Sequence, residues 1–257
     1  MKVVTWNVNS VRARGARLLA WLEKHRPDVV CLQELKVADA DFPSLDLRGL
    51  GYYATIHGQK TYNGVAVLSR EAPESVAVGL DDGVDDPQAR LVRARIRGIE
   101  FVSAYFPNGG DMGSDKWAYK LAWMERLRKY LDRHFDKQTP LVLAGDFNVA
   151  PFVDDVARPK EWEGTVLTHP DARAALRRIA DFGLEDCFRP FHPDGGVYSW
   201  WDYRGMGFER GNGLRIDHVY ATRPLASRAI GAIVDREERR GEAPSDHAPV
   251  VVELDVD

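Results

Sequence analysis

Two polar side chains that stand two residues apart after an apolar run are the residues best placed to do chemistry in this chain. Asp146 and Asn148 follow the run Pro140–Leu143. Side chains at positions i and i+2 of a strand point to the same face, so we expect Asp146 and Asn148 to converge. A carboxylate and a carboxamide on one face are suited to holding a metal ion, a phosphate group or both.

Polar residues also occur at the ends of other strand-like runs, or in the short turns beside them. Besides Asp146 and Asn148 they are Asn7, Glu34, Tyr105, Asp217, Asp246 and His247. Ligands of α/β proteins bind just beyond the ends of the strands. We therefore expect these side chains to form one shared rim.

Oxygen donors dominate this set, and their chemistry favours a hard divalent cation. Carboxylate, carboxamide and water oxygens suit Mg²⁺ or Mn²⁺ better than zinc, and no zinc-type Cys or His spacing occurs in the sequence. A glycine-rich phosphate loop and a Gly-x-Ser-x-Gly elbow are also absent from the sequence. An oxygen-bound cation beside a histidine–aspartate pair is suited to hydrolysing a phosphate ester, because the cation neutralises phosphoryl charge while a base activates water.

The elements that must position this rim are strands interspersed with helices. Strands are predicted over residues 2–8, 28–32, 52–56, 64–68, 75–78, 91–96, 99–105, 140–147, 183–188, 215–221, 229–234 and 250–254. Helices are predicted over residues 14–25, 116–135 and 171–181. The apolar stripe expected on the second helix is Trp117, Leu121, Met124, Leu127, Leu131 and Phe135. The sequence contains no repeat or linker, which predicts a single α/β domain over residues 1–257.

Bulk properties limit the classes of protein to consider. The first residues are strand-like rather than typical of a signal peptide, and no apolar run is long enough to span a membrane. Cys31 lies in an apolar run, so we expect a buried thiol and a reducing, cytoplasmic environment. The net charge of −4 argues weakly against a nucleic-acid partner, although acidic and basic residues cluster separately and could occupy different faces.

Seven segments along the chain carry a resemblance to a known family. In order they are Thr5-Trp-Asn-Val-Asn9, Leu32-Gln-Glu34, Tyr105-Phe-Pro-Asn108, Gly145-Asp-Phe-Asn-Val-Ala-Pro151, Tyr198-Ser-Trp-Trp-Asp-Tyr-Arg204, Gly213-Leu-Arg-Ile-Asp217 and Ser245-Asp-His-Ala-Pro249. Together they closely resemble the exonuclease III family of apurinic/apyrimidinic endonucleases, within the wider endonuclease/exonuclease/phosphatase superfamily. The resemblance covers essentially the whole chain and implies a four-layer α/β sandwich, in which two packed mixed β-sheets are flanked by helices.

The same resemblance implies a Mg²⁺-dependent DNA-repair nuclease, with Mn²⁺ as an alternative cofactor. Such an enzyme would cut the backbone 5′ to abasic sites, degrade 3′ ends of duplex DNA and remove 3′-blocking phosphates. Its partner would be double-stranded DNA with abasic sites or blocked 3′ ends, and no membrane partner is expected. The protein would be a cytoplasmic monomer of bacterial type, associated with the nucleoid through DNA.

Residue roles also follow from the resemblance. The implied catalytic residues are Tyr105, Asp146, Asn148, Asp217 and His247, and the implied metal site comprises Asn7, Glu34, Asp146, Asn148, Asp246 and His247. The implied DNA contacts are Asn108, Trp200, Arg12, Lys116 and Arg204. Glu34 would be the principal metal ligand, and Trp200 rather than Trp201 would line the abasic-sugar pocket. Asp217 would orient His247, and either Asp146 or His247 would take the proton from water.

Two other functions stay open at this point. A phosphatase or phosphodiesterase of the same fold would act on inositol phosphates, lipid head groups or nucleotides, but Trp200 and the segments 105–108 and 148–151 favour DNA. A non-catalytic DNA-binding protein would be expected to lack some of the acidic residues or His247, and all are present. The loop 108–115 is acidic and glycine-rich where a DNA-facing loop would ideally be basic. The net charge of −4 predicts modest non-specific DNA affinity that weakens quickly with salt.

Overall fold

The computed structural model describes residues 1–256. The strands are β1 (Lys2–Asn7), β2 (Val29–Gln33), β3 (Tyr53–His57), β4 (Val65–Ser69), β5 (Ser75–Val78), β6 (Leu91–Ile96), β7 (Ile99–Tyr105), β8 (Leu141–Asp146), β9 (Leu184–Asp186), β10 (Trp200–Trp201), β11 (Gly213–Leu214), β12 (Asp217–Thr222), β13 (Ala229–Val234) and β14 (Val250–Leu254). The helices are α1 (Val11–His25), α2 (Ser44–Gly49), α3 (Asp115–His134), α4 (Pro159–Trp162), α5 (Pro170–Ala180) and α6 (Arg223–Ala226). No helix in this described range is long and apolar enough to cross a membrane.

Most of the strands belong to two six-stranded sheets of mixed direction. The strand order is β13-β14-β1-β2-β4-β3 in the first sheet and β5-β6-β7-β8-β12-β9 in the second. Strands β1 and β2 are parallel, and so are β7 and β8, whereas the other neighbours are antiparallel. Each sheet therefore contains one parallel pair near its middle, and strands β10 and β11 form a separate antiparallel pair.

Three apolar clusters separate four layers of secondary structure. Val3 and Cys31 of the first sheet face Phe101 and Val142 of the second, and this cluster fills the space between the sheets. Helices α1 and α2 pack on the outer face of the first sheet, and α3 and α5 pack on the outer face of the second. This arrangement confirms the predicted four-layer α/β sandwich.

Several predicted boundaries shift for local reasons. Helix α1 begins at Val11 rather than Arg14, because the Ser10 hydroxyl caps it by accepting a hydrogen bond from the Ala13 backbone N–H. The short helices α2, α4 and α6 and the pair β10–β11 were not predicted, because elements of two to six residues carry too little periodicity to recognise.

The stripe predicted on α3 is partly wrong. Trp117, Met124, Leu127 and Leu131 are buried as expected, but Leu121 is only partly buried and Phe135 lies beyond the end of the helix. The buried face instead includes Lys120, Trp123 and Tyr130. The predicted apolar stripe was narrower than the face that α3 buries, and it left out Lys120, the one lysine that the helix buries.

Candidate active site

The predicted rim exists at one end of the sandwich. Strand β1 ends there at Asn7, Glu34 directly follows the end of the parallel strand β2, and the parallel strands β7 and β8 end there at Tyr105 and Asp146. Antiparallel β12 starts at the same end, where Asp217 lies directly opposite Asp146. Both sheets therefore deliver polar side chains to one place, because parallel strands finish where their antiparallel neighbours begin.

Asn7 joins the two sheets across this rim. Its Nδ2 donates to Glu34 Oε1 at 2.8 Å and to Asp146 Oδ2 at 2.9 Å. Its Oδ1 accepts the backbone N–H of Asn9 at 2.9 Å. In this geometry the amide nitrogen of Asn7 holds the carboxylates of Glu34 and Asp146 in place, while its amide oxygen binds the backbone of Asn9 in the loop that follows β1.

Asn148 does converge with Asp146, but through a turn rather than through strand alternation. Strand β8 ends at Asp146, and Asn148 has a φ of 49°, in the left-handed region that asparagine tolerates better than most residues. The Asn148 backbone N–H donates to Asp146 Oδ1 at 2.9 Å, and its Nδ2 donates to Asp146 Oδ2 at 3.2 Å. The argument from i and i+2 spacing was therefore wrong, although the contact it predicted is present.

His247 is held between two buried carboxylates. Its Nδ1 lies 2.9 Å from Asp217 Oδ2, and its Nε2 lies 3.7 Å from Asp146 Oδ2. Ser199 Oγ donates to Asp217 Oδ2 at 2.6 Å and fixes that carboxylate in turn. The imidazole is therefore aimed by Asp217 at the open side of the rim.

These contacts shift the acid–base properties of the pair. Burial alone would lower the pKa of His247, but the carboxylates of Asp217 and Asp146 outweigh burial and raise it above its ordinary value. Burial raises the pKa of Asp146 above the ordinary aspartate range, against the opposing effect of His247. The imidazole therefore keeps its proton at neutral pH, and the carboxylate is a stronger base than an exposed aspartate.

Three of the rim residues could hold a metal ion. Glu34, Asp146 and His247 each offer one ligand atom, and these atoms lie within 4.8 Å of one another. Burial would raise the pKa of Glu34, but the Lys36 ammonium and the hydrogen bond from Asn7 keep it lower than usual, so the carboxylate is charged. The carboxylates of Glu34 and Asp146 fit a divalent cation such as Mg²⁺ or Mn²⁺, and His247 could join them as a ligand only with an unprotonated Nε2.

Asp246 takes a different position from the other predicted ligands. Its Oδ1 accepts from Asn9 Nδ2 and its Oδ2 accepts from Trp200 Nε1, each at 2.9 Å. Both oxygens are engaged with neighbouring side chains. Burial would raise the pKa of Asp246, but the charge of His247 and the hydrogen bonds from Trp200 and Asn9 keep it below its ordinary value. Asp246 therefore fixes Trp200 beside the rim, and its role as a ligand stays a prediction.

Tyr105 lies at the opposite side of the rim from His247. Its hydroxyl donates to Glu34 Oε1 at 2.9 Å. Burial and the nearby carboxylates raise the pKa of Tyr105 well above its ordinary value, so the hydroxyl keeps its proton. The Arg90 guanidinium lies 4.8 Å from the centre of the Tyr105 ring and holds the ring from behind.

The residues expected to contact DNA divide into two groups. Trp200 is partly exposed, with its ring centre 6.3 Å from that of His247, whereas Trp201 is buried. Asn108 Nδ2 donates to Asn148 Oδ1 at 3.0 Å, so Asn108 also belongs to the rim. Contact of Trp200 and Asn108 with DNA stays a prediction.

Arg12, Lys116 and Arg204 lie at the starts of helical segments. Arg12 is in the first turn of α1 and pairs with Asp41 at 3.0 Å, and Lys116 is in the first turn of α3. Arg204 opens a short 3₁₀ turn. All three side chains are exposed, because the charged residues at these helix starts have no apolar surface to cover. Their contact with DNA stays a prediction.

The sequence reasoning missed Lys36 at the rim. Its Nζ lies 2.8 Å from Glu34 Oε2 and donates to Asn9 Oδ1 at 2.6 Å. The only sequence signal was its position two residues after Glu34. A backbone φ of 52° at Glu34 and of 56° at Lys36 turns both side chains toward the rim, and such a conformation is hard to anticipate from sequence.

Comparison with known proteins places this geometry in a family. The model of the endonuclease/exonuclease/phosphatase family matches residues 4–247. The exodeoxyribonuclease III of Haemophilus influenzae is 37% identical over 267 residues, covering 99% of this chain and 100% of that protein.

Two solved structures are also similar to this chain. An AP endonuclease from Archaeoglobus fulgidus is 42% identical with a TM-score of 0.96, and the match covers 100% of both chains. The 3′ phosphatase NExo from Neisseria, solved with a product DNA hairpin, is 40% identical with a TM-score of 0.96 over 100% of both chains. The chain therefore belongs to the endonuclease/exonuclease/phosphatase family of hydrolytic enzymes, among its exodeoxyribonuclease III and AP endonuclease members.

Proposed function

We propose that this protein is a metal-dependent DNA-repair nuclease that hydrolyses the phosphodiester 5′ to abasic sites and also processes 3′ ends of duplex DNA. The observation that carries the proposal is the buried arrangement of Asp146, His247 and Asp217 beside Glu34. Relatives that match this chain over its full length act on DNA, and this supports DNA as the substrate. The partly exposed Trp200 beside His247 supports a pocket for a flipped, baseless sugar.

The proton-handling roles follow from the two raised pKa values. His247, which Asp217 keeps oriented, would donate from Nε2 to an oxygen of the scissile phosphate. Asp146 would accept the proton of the attacking water, because burial makes its carboxylate a stronger base than an exposed aspartate, whereas His247 already holds a proton. Asn148 would hold Asp146 in place. Tyr105, whose O–H donates to Glu34, would turn this donor to the phosphate when substrate binds. A divalent cation bound at Glu34 would neutralise charge on the phosphoryl oxygens.

We further propose Mg²⁺ as the working cation, because the site offers mainly oxygen ligands and keeps an open side. Manganese, with similar ligand preferences, would substitute. By its resemblance the protein is proposed to be a single-domain monomer over residues 1–257, active on DNA in the cytoplasm. Size-exclusion chromatography with light scattering would test the monomer, and a stable dimer would contradict it.

The proposal is tested with a duplex oligonucleotide that carries one tetrahydrofuran abasic analogue. This analogue cannot undergo β-elimination, so only hydrolysis can cut the strand. We expect incision 5′ to the analogue with Mg²⁺ and no incision with EDTA. In Asp146→Asn the rate of incision should fall by about 100-fold or more. Unchanged cleavage by Asp146→Asn would remove the assignment of that residue.

A duplex with a 3′-phosphate at a nick separates the two proposed activities. Release of phosphate without incision at the tetrahydrofuran site would restrict the protein to 3′-end processing. Hydrolysis of inositol phosphates without any action on DNA would instead support the alternative phosphatase function.

A further inference from the structure

Lys120 is a buried lysine in the middle of helix α3. Its side chain is 0% exposed, and no carboxylate lies within ion-pair distance of its ammonium among the described residues. Burial lowers the pKa of Lys120 to about 7, against a smaller opposing effect of Asp146. Burying an amine in this way is unfavourable unless each of its N–H groups finds a partner.

Three backbone carbonyl groups provide these partners. The ammonium donates to Asn148 O at 2.7 Å, to Val166 O at 2.8 Å and to Asn108 O at 3.0 Å. The three carbonyls belong to the turn after β7, the turn after β8 and the loop before α5, of which the last two also share the backbone hydrogen bond from Ala150 N–H to Leu167 O at 2.8 Å. One side chain therefore ties together three segments beside the candidate active site.

Two of these segments carry side chains of the rim. Asn108 Nδ2 donates to Asn148 Oδ1, and Asn148 Nδ2 donates in turn to Asp146 Oδ2 at 3.2 Å. Lys120 holds the backbone of the same two asparagines from the opposite side, so each is fixed at both its main chain and its side chain. Asn148 benefits from this support, because its φ of 49° lies in the left-handed region, which is sparsely populated even though asparagine tolerates it better than most residues.

We propose that Lys120 is a positioning residue, which keeps Asn108 and Asn148 aligned with Asp146 for attack on the scissile phosphate. This inference rests on the proposed hydrolysis at the same site. Lys120 lies behind the asparagines and does not reach the substrate. It acts through them, because loss of its three hydrogen bonds would release the carbonyls and let both turns relax.

The test compares Lys120→Met with Leu127→Ala on the same helix. Methionine keeps most of the length of lysine but donates no hydrogen bond. Leu127 is buried in the α3 core and contacts no rim residue by hydrogen bonds, so its truncation supplies a matched loss of stability. Both variants are assayed on the tetrahydrofuran duplex and the 3′-phosphate duplex, at a temperature where circular dichroism shows each to be folded.

For Lys120→Met we expect kcat to fall about 100-fold, because small displacements of positioned groups are costly, while KM changes little. Leu127→Ala is expected to keep the wild-type kcat. Equal kcat values in the two variants would overturn the positioning role. A wild-type protein inactive on both DNA substrates would count against the proposed function itself.

Two rescue experiments separate positioning from general stability. Lys120→Gln retains two N–H donors and should recover part of kcat relative to Lys120→Met, whatever its melting temperature. Lys120→Ala leaves space for propylammonium, which restores the missing donors, whereas 1-propanol of similar size does not. Recovery of kcat with propylammonium alone supports the proposal, and equal behaviour of the two additives contradicts it.

Discussion

Asp217 accepts the Nδ1–H of His247 at 2.9 Å and is itself fixed by Ser199. The carboxylate does not face the open rim, so its contribution is made through the imidazole. At the scale of single residues, catalysis thus depends on Asp217, which keeps a proton on Nδ1 of His247 and fixes the direction of Nε2.

Replacing Asp217 by asparagine tests this dependence. The amide can donate to Nδ1 and would favour the wrong tautomer of His247, so we expect kcat to fall by at least about 100-fold. The fold should persist, because the amide has nearly the shape of the carboxylate. The measurement is kcat on the tetrahydrofuran duplex, with Asp132→Asn on the exposed face of α3 as the control. Similar kcat values in both variants would contradict the role of Asp217.

His218, which follows Asp217, has a lowered pKa, whereas the pKa of His247 is raised. Its Nδ1 accepts from Arg215 Nη1 at 3.1 Å and its Nε2 donates to Val149 O at 3.0 Å, which requires a neutral ring. Burial, together with Arg215, lowers the pKa of His218 to about 4. The unfolded chain therefore binds a proton first as pH falls, and the stability from this group is lost below about pH 6.5.

We expect wild-type protein to lose about 2 kcal/mol of unfolding free energy through His218 between pH 7.5 and pH 5. His218→Gln keeps a donor toward Val149 but cannot be protonated, so this part of the pH dependence should disappear. Urea denaturation at the two pH values measures the difference. The same decrease in wild type and variant would show that other groups are responsible.

At the scale of elements, the close approach of β7 and β8 sets the spacing of the rim. Tyr105 lies opposite Asp146 in this parallel pair. Gly145 precedes Asp146, and a Cβ added at Gly145 would overlap the carbonyl oxygen of Ala104. Glycine is needed here because of this contact, not because of its backbone conformation.

Gly145→Ala is expected to destabilise the protein by about 3 kcal/mol or more and to displace Asp146 from Tyr105. Gly15→Ala in helix α1 is the matched substitution, because a Cβ there meets no atom within 4 Å. It should stabilise the protein by about 1 kcal/mol, the usual advantage of alanine over glycine inside a helix. Urea unfolding measures both changes. An unchanged free energy of unfolding in Gly145→Ala would show that β7 and β8 can move apart without destabilising the protein.

At the scale of the whole molecule, the charge distribution decides how DNA would be held. The net charge is −4, and the loop from Asn108 to Asp115 adds acidic side chains beside the rim. Any attraction to a phosphate backbone must come from local basic residues such as Arg12 and Arg204. This attraction weakens as salt rises, because the release of counterions from DNA into a more concentrated salt solution gains less entropy.

We expect kcat/KM on the tetrahydrofuran duplex to fall at least about tenfold between 50 and 200 mM NaCl. The value of kcat at saturating DNA should change little, because the buried groups of the rim are screened far less than exposed ones. Arg12→Ala and Arg204→Ala should reduce the slope of kcat/KM against salt. A slope that is unchanged in both variants would remove these residues from the DNA contact.

Local features of the sequence were enough to predict much of this protein. Short strand-like apolar runs predicted β5, β6, β7, β13 and β14 with their observed bounds, because such runs are recognisable within a few residues. The motifs also identified Glu34, Asp146, Asp217 and His247, and their resemblance to a family predicted the sandwich. Boundaries set by capping or by distant hydrogen bonds, as at Ser10, were not predicted.

Only the tertiary structure decided what these residues do to one another. Asn7 meets Asp146 across 139 residues of chain, and Lys120 reaches the carbonyls of Asn148 and Val166. The shifted pKa values arise from burial and from neighbours that are distant in sequence. The physical reason is that periodicity and turn chemistry act over a few residues, whereas desolvation and charge act only between groups that packing has brought together.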